Sequence, residues 1–207
     1  MDDLVKDYLI SFYSKQLLMH GDRPEAIRWT PMGQMLRYSL FSGLCGGLNG
    51  KSILDYGCGK GDFYAYLKDM GLNIRYSGFD INPDLIALAK SKFPHADFRV
   101  FDIEESPLIE DFDYICLFGI FNNNVEGMSD TMRNIILRLF ERTRIALLFD
   151  ALSSSAKEKS GDLHYTDEDE LIYYLKKNVT ADIRLIKNRI PDGFAVFLSK
   201  NQPVCKS

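Results

Sequence analysis

Between Ser52 and Asn178, short apolar runs alternate with stretches of helical spacing, and this alternation restricts the fold more than any other feature of the chain. "SILDY", "IRYSGFD", "DFRVFD", "DYICLFG" and "RIALLFD" read as strands bounded by turn residues. "DFYAYLKDM", "NPDLIALAKSKF", "SDTMRNIILRLFERT" and "DEDELIYYLKKN" read as helices, with Asn82 and Ser129 as expected caps. Strands and helices in alternation build a doubly wound parallel sheet with helices on both faces. The chain ends differently. "ADIRLIKN", "RIPDG" and "FAVFLSK" carry an antiparallel hairpin signature, with Pro191, Asp192 and Gly193 as turn residues.

The first fifty residues read as helical. Leu4, Val5, Tyr8, Leu9, Phe12 and Tyr13 recur at helical spacing before Gly21, and "MGQMLRYSLFSGL" repeats the pattern before Gly46 and Gly47. The expected organisation is a helical cap over 1–49, an α/β domain over 50–200 and a tail over 201–207. A chain of 207 residues that is 46% hydrophobic can fill one sizeable core. It has no apolar run of about 18 residues, the length a membrane helix needs. The start, "MDDLVKDYLI", is acidic where a secretion signal would be basic, so no targeting segment is expected. Cys45, Cys58, Cys116 and Cys205 show no C-x-x-C spacing, which argues against a metal site or disulfide framework and suits a cytoplasmic protein. A net charge of -4 gives no general pull on phosphate backbones, so nucleic acid is not the expected partner.

The first strand runs into "GCGKGDF", where Gly57, Gly59 and Gly61 are spaced G-x-G-x-G. Such a turn lies at the carboxyl edge of an open parallel sheet, where ligands bind, and glycine lets the backbone approach closely. A dinucleotide fingerprint wants its third glycine at position 62, beside a pyrophosphate, but Asp62 stands there. S-adenosylmethionine carries no phosphate and has a cationic amino group, which Asp55 just upstream suits better. Asp80 ends the second strand and can accept hydrogen bonds from both hydroxyls of a ribose, whichever cofactor carries it. Asp102 ends the third strand, where it can accept from an adenine amino group between Ile81 and Ile103. Strand-end aspartates also cap turns and helices, the plainer explanation for Asp102 alone.

With these segments the sequence resembles the class I S-adenosylmethionine-dependent methyltransferases. "ILDYGCGKG", "YSGFDINPDLIALAK", "FRVFDIEE", "FDYICLFGIFN" and the terminal hairpin carry the likeness, over about residues 50–200. "HGDRPEAIRWT" and "GQMLRY" look like a bacterial small-molecule branch. The resemblance implies a Rossmann-like, seven-stranded sheet with its last strand antiparallel. It also implies that Gly57, Gly59 and Gly61 line the methionine part, that Asp80 holds the ribose and that Asp102 holds the adenine. Cys58 within the turn and Phe118 at the end of the fourth strand are grouped with the cofactor-binding residues. Relatives often fold a helical N-terminus over the cofactor, so Trp29 is expected to cover the site and Arg37 to meet the methionine carboxylate.

Methyl transfer from a sulfonium needs alignment and exclusion of water, with a general base only where the acceptor holds a proton. "FGIFNNN" after the fourth strand lacks the Asn/Asp-Pro-Pro-aromatic motif of enzymes that methylate amino groups of nucleic acids and proteins, which favours a small-molecule acceptor. Asn122, with Asn123 and Asn124, can bind a polar acceptor, and "ALSSSAKEKSGDLHYT" has a lid's composition. His164 is the best base by its usual pKa, with Tyr165 beside it, although a solvent-facing histidine explains the same residue. Cys58 has no partner base. The expected activity is methyl transfer to an O or N atom of a small molecule. A non-catalytic cofactor-binding module shares every cofactor residue, and a nicotinamide-dependent oxidoreductase shares the turn and Asp80 but does not explain the hairpin.

Overall fold

The computed structural model describes residues 1–200; the expected tail, with Cys205, lies outside them. Three helical pieces come first: α1 (Asp3–His20), a 3-10 turn (Pro24–Ile27) and α2 (Pro31–Leu44). Alternation then follows as β1 (Ser52–Tyr56), α3 (Asp62–Asp69), β2 (Arg75–Asp80), α4 (Pro83–Lys92), β3 (Asp97–Val100), β4 (Phe112–Leu117) and α5 (Met128–Glu141). The described residues close with β5 (Thr143–Ser153), the short β6 (Tyr165–Thr166), α6 (Glu168–Asn178), β7 (Ile183–Ile190) and β8 (Gly193–Ser199).

The main sheet runs β3-β2-β1-β4-β5-β8-β7, and β6 pairs with β5 beside this path. Among the described strands only β8 is antiparallel to its neighbours, β5 and β7, as the terminal hairpin requires. Strand order reverses between β1 and β4, so the carboxyl ends of these two strands open the crevice where open α/β sheets hold ligands.

Alternating side chains divide the interior into two cores. Leu54, Ile115, Leu117, Leu147 and Phe149 face α5 and α6. Ile53, Tyr114, Cys116, Ala146 and Leu148 face α2, α3 and α4. A period of two in strands buried on both sides produces this split. α1 stands apart: Leu9 is its only buried residue, and the helix packs on the 3-10 turn and α4.

Local chemistry explains most boundaries. The Asn82 side chain accepts from the N–H groups of Asp84 and Leu85, with Pro83 at the first helical position. Ser129 is not the cap of α5. The cap position falls two residues earlier, at Gly127 with φ 74°, and Ser129 lies within the first turn of the helix. α2 stops at Leu44, with Cys45 in extended conformation, before the glycines expected to end it. β5 runs three residues past Asp150, and its far end pairs with β6. The segment expected as a lid is therefore tied down at both ends. Asn124 Nδ2 donates to the Gly161 carbonyl at 2.8 Å, and Arg28 pairs with Asp162.

Candidate active site

After β1 the backbone turns through Gly57, Gly59 and Gly61 with φ of 82°, 54° and 80°, a region that strains residues bearing a Cβ. Gly57 is the tightest, since a Cβ there would fall 2.2 Å from the Ile120 Cγ2 atom. The N–H groups of Gly57 and Cys58 donate to the Phe79 carbonyl at 2.7 and 3.1 Å, which binds the turn to the end of β2. Asp80 is held there by both oxygens. Gly59 N–H donates to its Oδ2 and Asn82 N–H to its Oδ1, each at 2.8 Å. Burial raises the Asp80 pKa, while the amides of Asn82, Gly59 and Ile81 pull it back toward the carboxylate.

A cavity opens above this turn, at the carboxyl ends of β1, β2 and β4. Leu9, Ile10 and Tyr13 of α1, Ile27 of the 3-10 turn and Trp29 roof it. Asp55 lies in its floor at 2% exposure, where burial pushes its carboxyl up to about 7 although the Tyr76 hydroxyl donates to it at 2.7 Å. Asp102 is on the wall, but Lys6 of α1 holds its Oδ2 at 2.9 Å and Glu104 N–H donates to its Oδ1 at 2.8 Å.

Of the expected cofactor-binding residues, Asp55, Gly57, Cys58, Gly59, Asp80, Ile81, Asp102, Phe118 and Trp29 line the cavity. Gly61, Ile103 and Arg37 are not on its wall. Gly61 serves packing instead, because a Cβ there would meet the Phe98 ring at 2.9 Å. Ile103 is buried in the core, its N–H donating to the Tyr56 hydroxyl at 3.1 Å and its carbonyl accepting from Arg138 at 2.7 Å. Arg37 donates through Nε to Asp150 at 2.7 Å and lies 4.6 Å from the Trp29 ring centroid. Its charge is answered inside the protein, by an aspartate that also accepts from Gly119 N–H at 2.9 Å.

None of Asn122, His164 and Tyr165 lines the cavity. The His164 N–H donates to the Asn122 carbonyl at 3.0 Å, and the imidazole lies 3.3 Å from Ser129 Oγ. Burial lowers the His164 pKa. Tyr165 accepts through its hydroxyl from Ser160 N–H at 2.8 Å. Asn123 reaches the cavity wall in their place. It forms an antiparallel bridge with Leu163, and in extended backbone adjacent side chains oppose one another, so Asn122 and Asn123 part. Asn123 Nδ2 donates to the Tyr13 hydroxyl at 2.9 Å. Burial raises the Tyr13 pKa, against the Asn123 hydrogen bond and the charge of Arg28. The periodicity of α1 marks Tyr13 only as apolar, and nothing in "NNN" distinguishes its middle residue.

Comparison with known proteins bears on the family and the fold. Residues 48–183 match the family described as Methyltransferase domain. The provisionally named methyltransferase Rv1506c of Mycobacterium tuberculosis is 27% identical over 158 residues, spanning 72% of this chain and 93% of its own. The magnesium protoporphyrin IX methyltransferase of Synechocystis, solved with bound SAM, superposes with a TM-score of 0.69 at 16% identity, over 97% of this chain and 98% of that one. DhpI, solved with SAH, reaches 0.73 at 13% identity over 98% and 100%. The chain belongs to the methyltransferase-domain family, and its fold is that of the class I S-adenosylmethionine-dependent methyltransferases.

Proposed function

We propose that the cavity binds S-adenosylmethionine and that the protein transfers its methyl group to an oxygen or nitrogen atom of a small molecule. The observation that carries this proposal is Asp80, fixed by two backbone amides at the lip of the glycine turn. Each of its oxygens keeps a lone pair for one ribose hydroxyl. Asp80, an acid without a cationic partner among the described residues, suits a cationic ligand. The start of α3, where a pyrophosphate would bind, is taken by Asp62. Lys60 at 2.6 Å and Gln34 at 2.8 Å hold that carboxylate in place, which disfavours a dinucleotide.

The sulfonium of the bound cofactor supplies an already activated methyl group. The chain's own contribution is placement. Asp80 fixes the ribose, the glycine turn admits the methionine part, and Trp29 and Leu9 keep water from the roofed space. Tyr13 in the roof and Asn123 on the wall are among the polar groups of the cavity, with Asn82 and Thr131, and are available to an acceptor. The helical cap over 1–49 narrows the opening toward small acceptors. The small-molecule acceptor named for the Synechocystis protein supports the same class. We also propose a cytoplasmic location, on the three buried, unpaired cysteines among the described residues.

Transfer of an isotopically labelled methyl group from S-adenosylmethionine tests this function, with pools of small metabolites, protein and RNA as acceptors. The label is expected in the metabolite pool and lost with Asp80→Ala. Label confined to protein or RNA rejects the small-molecule acceptor, and no transfer to any pool rejects catalysis.

A further inference from the structure

Asn82 meets both the cofactor turn and the roof of the cavity. Its backbone N–H donates to Asp80 Oδ1 at 2.8 Å and so fixes one oxygen of the carboxylate that faces the ribose site. Its side-chain Oδ1 accepts from the N–H groups of Asp84 and Leu85 at 2.9 and 3.0 Å, capping α4. Its Nδ2 donates to the Ile10 carbonyl at 2.9 Å and to Ser14 Oγ at 3.2 Å, both on α1. Asn82 is 2% exposed and lines the cavity, as Ile10 does. Capping alone does not call for asparagine, since serine or aspartate caps a helix as well. Any residue but proline could supply the backbone N–H that holds Asp80. The Nδ2 donor is what asparagine adds, and it is aimed at α1.

α1 depends on such ties. Leu9 is its only buried residue, and Leu4, Tyr8 and Leu18 are exposed at 79%, 58% and 86%. A helix with so little apolar burial relies on its polar contacts to stay seated. Two further contacts also end on the cavity wall. Lys6 meets Asp102 at 2.9 Å, and the Tyr13 hydroxyl accepts from Asn123 at 2.9 Å.

We propose that Asn82 is a positioning residue that couples the ribose site to α1, so that a cofactor on Asp80 holds the helix closed and the seated helix slows the cofactor's release. The proposal rests on S-adenosylmethionine binding at Asp80, as proposed above. The coupling runs through one short unit, the turn from Asp80 to Asn82 at the start of α4. Ribose hydroxyls on Asp80 fix the carboxylate and, through it, the Asn82 amide. An ordered Asn82 keeps its Nδ2 aimed at the Ile10 carbonyl. Linkage makes the effect reciprocal: the factor by which the cofactor favours the seated helix is the factor by which the seated helix favours the cofactor. Leu9, Ile10 and Tyr13 roof the cavity only while α1 is seated, so the same coupling keeps water out during transfer.

The test uses the full chain, S-adenosylhomocysteine and the variant Asn82→Ser. The substitution retains a capping oxygen and the backbone N–H, but its side chain does not reach the Ile10 carbonyl. Trp29, the single tryptophan of the chain, lies on the wall, so stopped-flow emission follows release. Release is expected to quicken by about threefold to tenfold in the variant, the worth of a neutral hydrogen bond. Hydrogen exchange supplies a readout that a general loss of stability does not mimic. In the wild type, S-adenosylhomocysteine should slow exchange across residues 3–20 by at least about threefold. In Asn82→Ser that response should shrink below about twofold, while residues 84–92 exchange as before. Unchanged release from the variant, or wild-type exchange over residues 3–20 that ignores the cofactor, overturns the coupling and leaves the donor proposal standing. The second result needs no variant and decides the matter even where Asn82→Ser does not fold. Failure of the wild type to bind S-adenosylhomocysteine brings down both.

Discussion

Asp55 and Asp80 sit on the neighbouring strands β1 and β2, yet their surroundings differ. Asp80 is met by amides. Asp55 is met by a tyrosine hydroxyl and by Cys116 Sγ at 3.8 Å, under full burial. With its folded-state pKa pushed from the usual carboxylate range up to about 7, the folded protein holds a proton on Asp55 that the unfolded chain releases near pH 4. Stability therefore falls as pH rises from about 4 to about 7 and levels off above, where both states are ionised. Burial raises the Asp80 pKa too, so it acts in the same direction. Carboxylates held below their usual range, such as Asp22 and Asp113, act at lower pH and in the opposite sense. Chemical denaturation between pH 4.5 and 8 should show this decline, and Asp55→Asn should flatten it. A wild-type slope that survives the substitution would place the proton elsewhere. At this scale the strand-end acids were legible in the sequence, because an aspartate closing an apolar run is conspicuous. The choice between Asn122 and Asn123 was not, since it depends on which way one extended residue faces. Neither was the commitment of Arg37 to Asp150, a contact made across 113 positions.

Periodicity made the elements readable. Strands with apolar residues on both faces, helices begun by Asn82 or Asp167, and the turn at Pro191 and Asp192 all carry local signals. What escaped was set by tertiary pairing: β5 extends because β6 and β8 offer partners for its last residues. α5 starts at a left-handed glycine, although a serine two positions on looked the better cap. The element that most needs an explanation is α2, which bears on Trp29 and is cross-linked to β5 through Arg37 and Asp150. Asp150 is 1% exposed, so removal of its partner leaves a buried charge. Arg37→Met should cost about 3–5 kcal/mol in denaturant unfolding, and adding Asp150→Asn should recover part of it. A loss below about 1 kcal/mol, typical of exposed ion pairs, would mean that the pair is solvated in solution.

Residues 1–200 form one sheet with a core on each face, and α1 lies across the crevice where strand order reverses. Its class followed from strand–helix alternation and from the closing hairpin, both properties of sequence order. The cap's seat did not, because it depends on long-range contacts such as Lys6 with Asp102 and Asn82 with the Ile10 carbonyl. The central claim is that the glycine turn, Asp80 and the cap together make a site for S-adenosylmethionine. Calorimetric titration of the full chain with S-adenosylmethionine, S-adenosylhomocysteine and NAD tests it most directly. Saturable binding of the first two is expected, with no NAD binding and a loss of about 10-fold to 150-fold in affinity for Asp80→Ala, equivalent to roughly 1.5–3 kcal/mol for a hydrogen bond to a charged group. Saturable binding of NAD with no response to S-adenosylhomocysteine would contradict it.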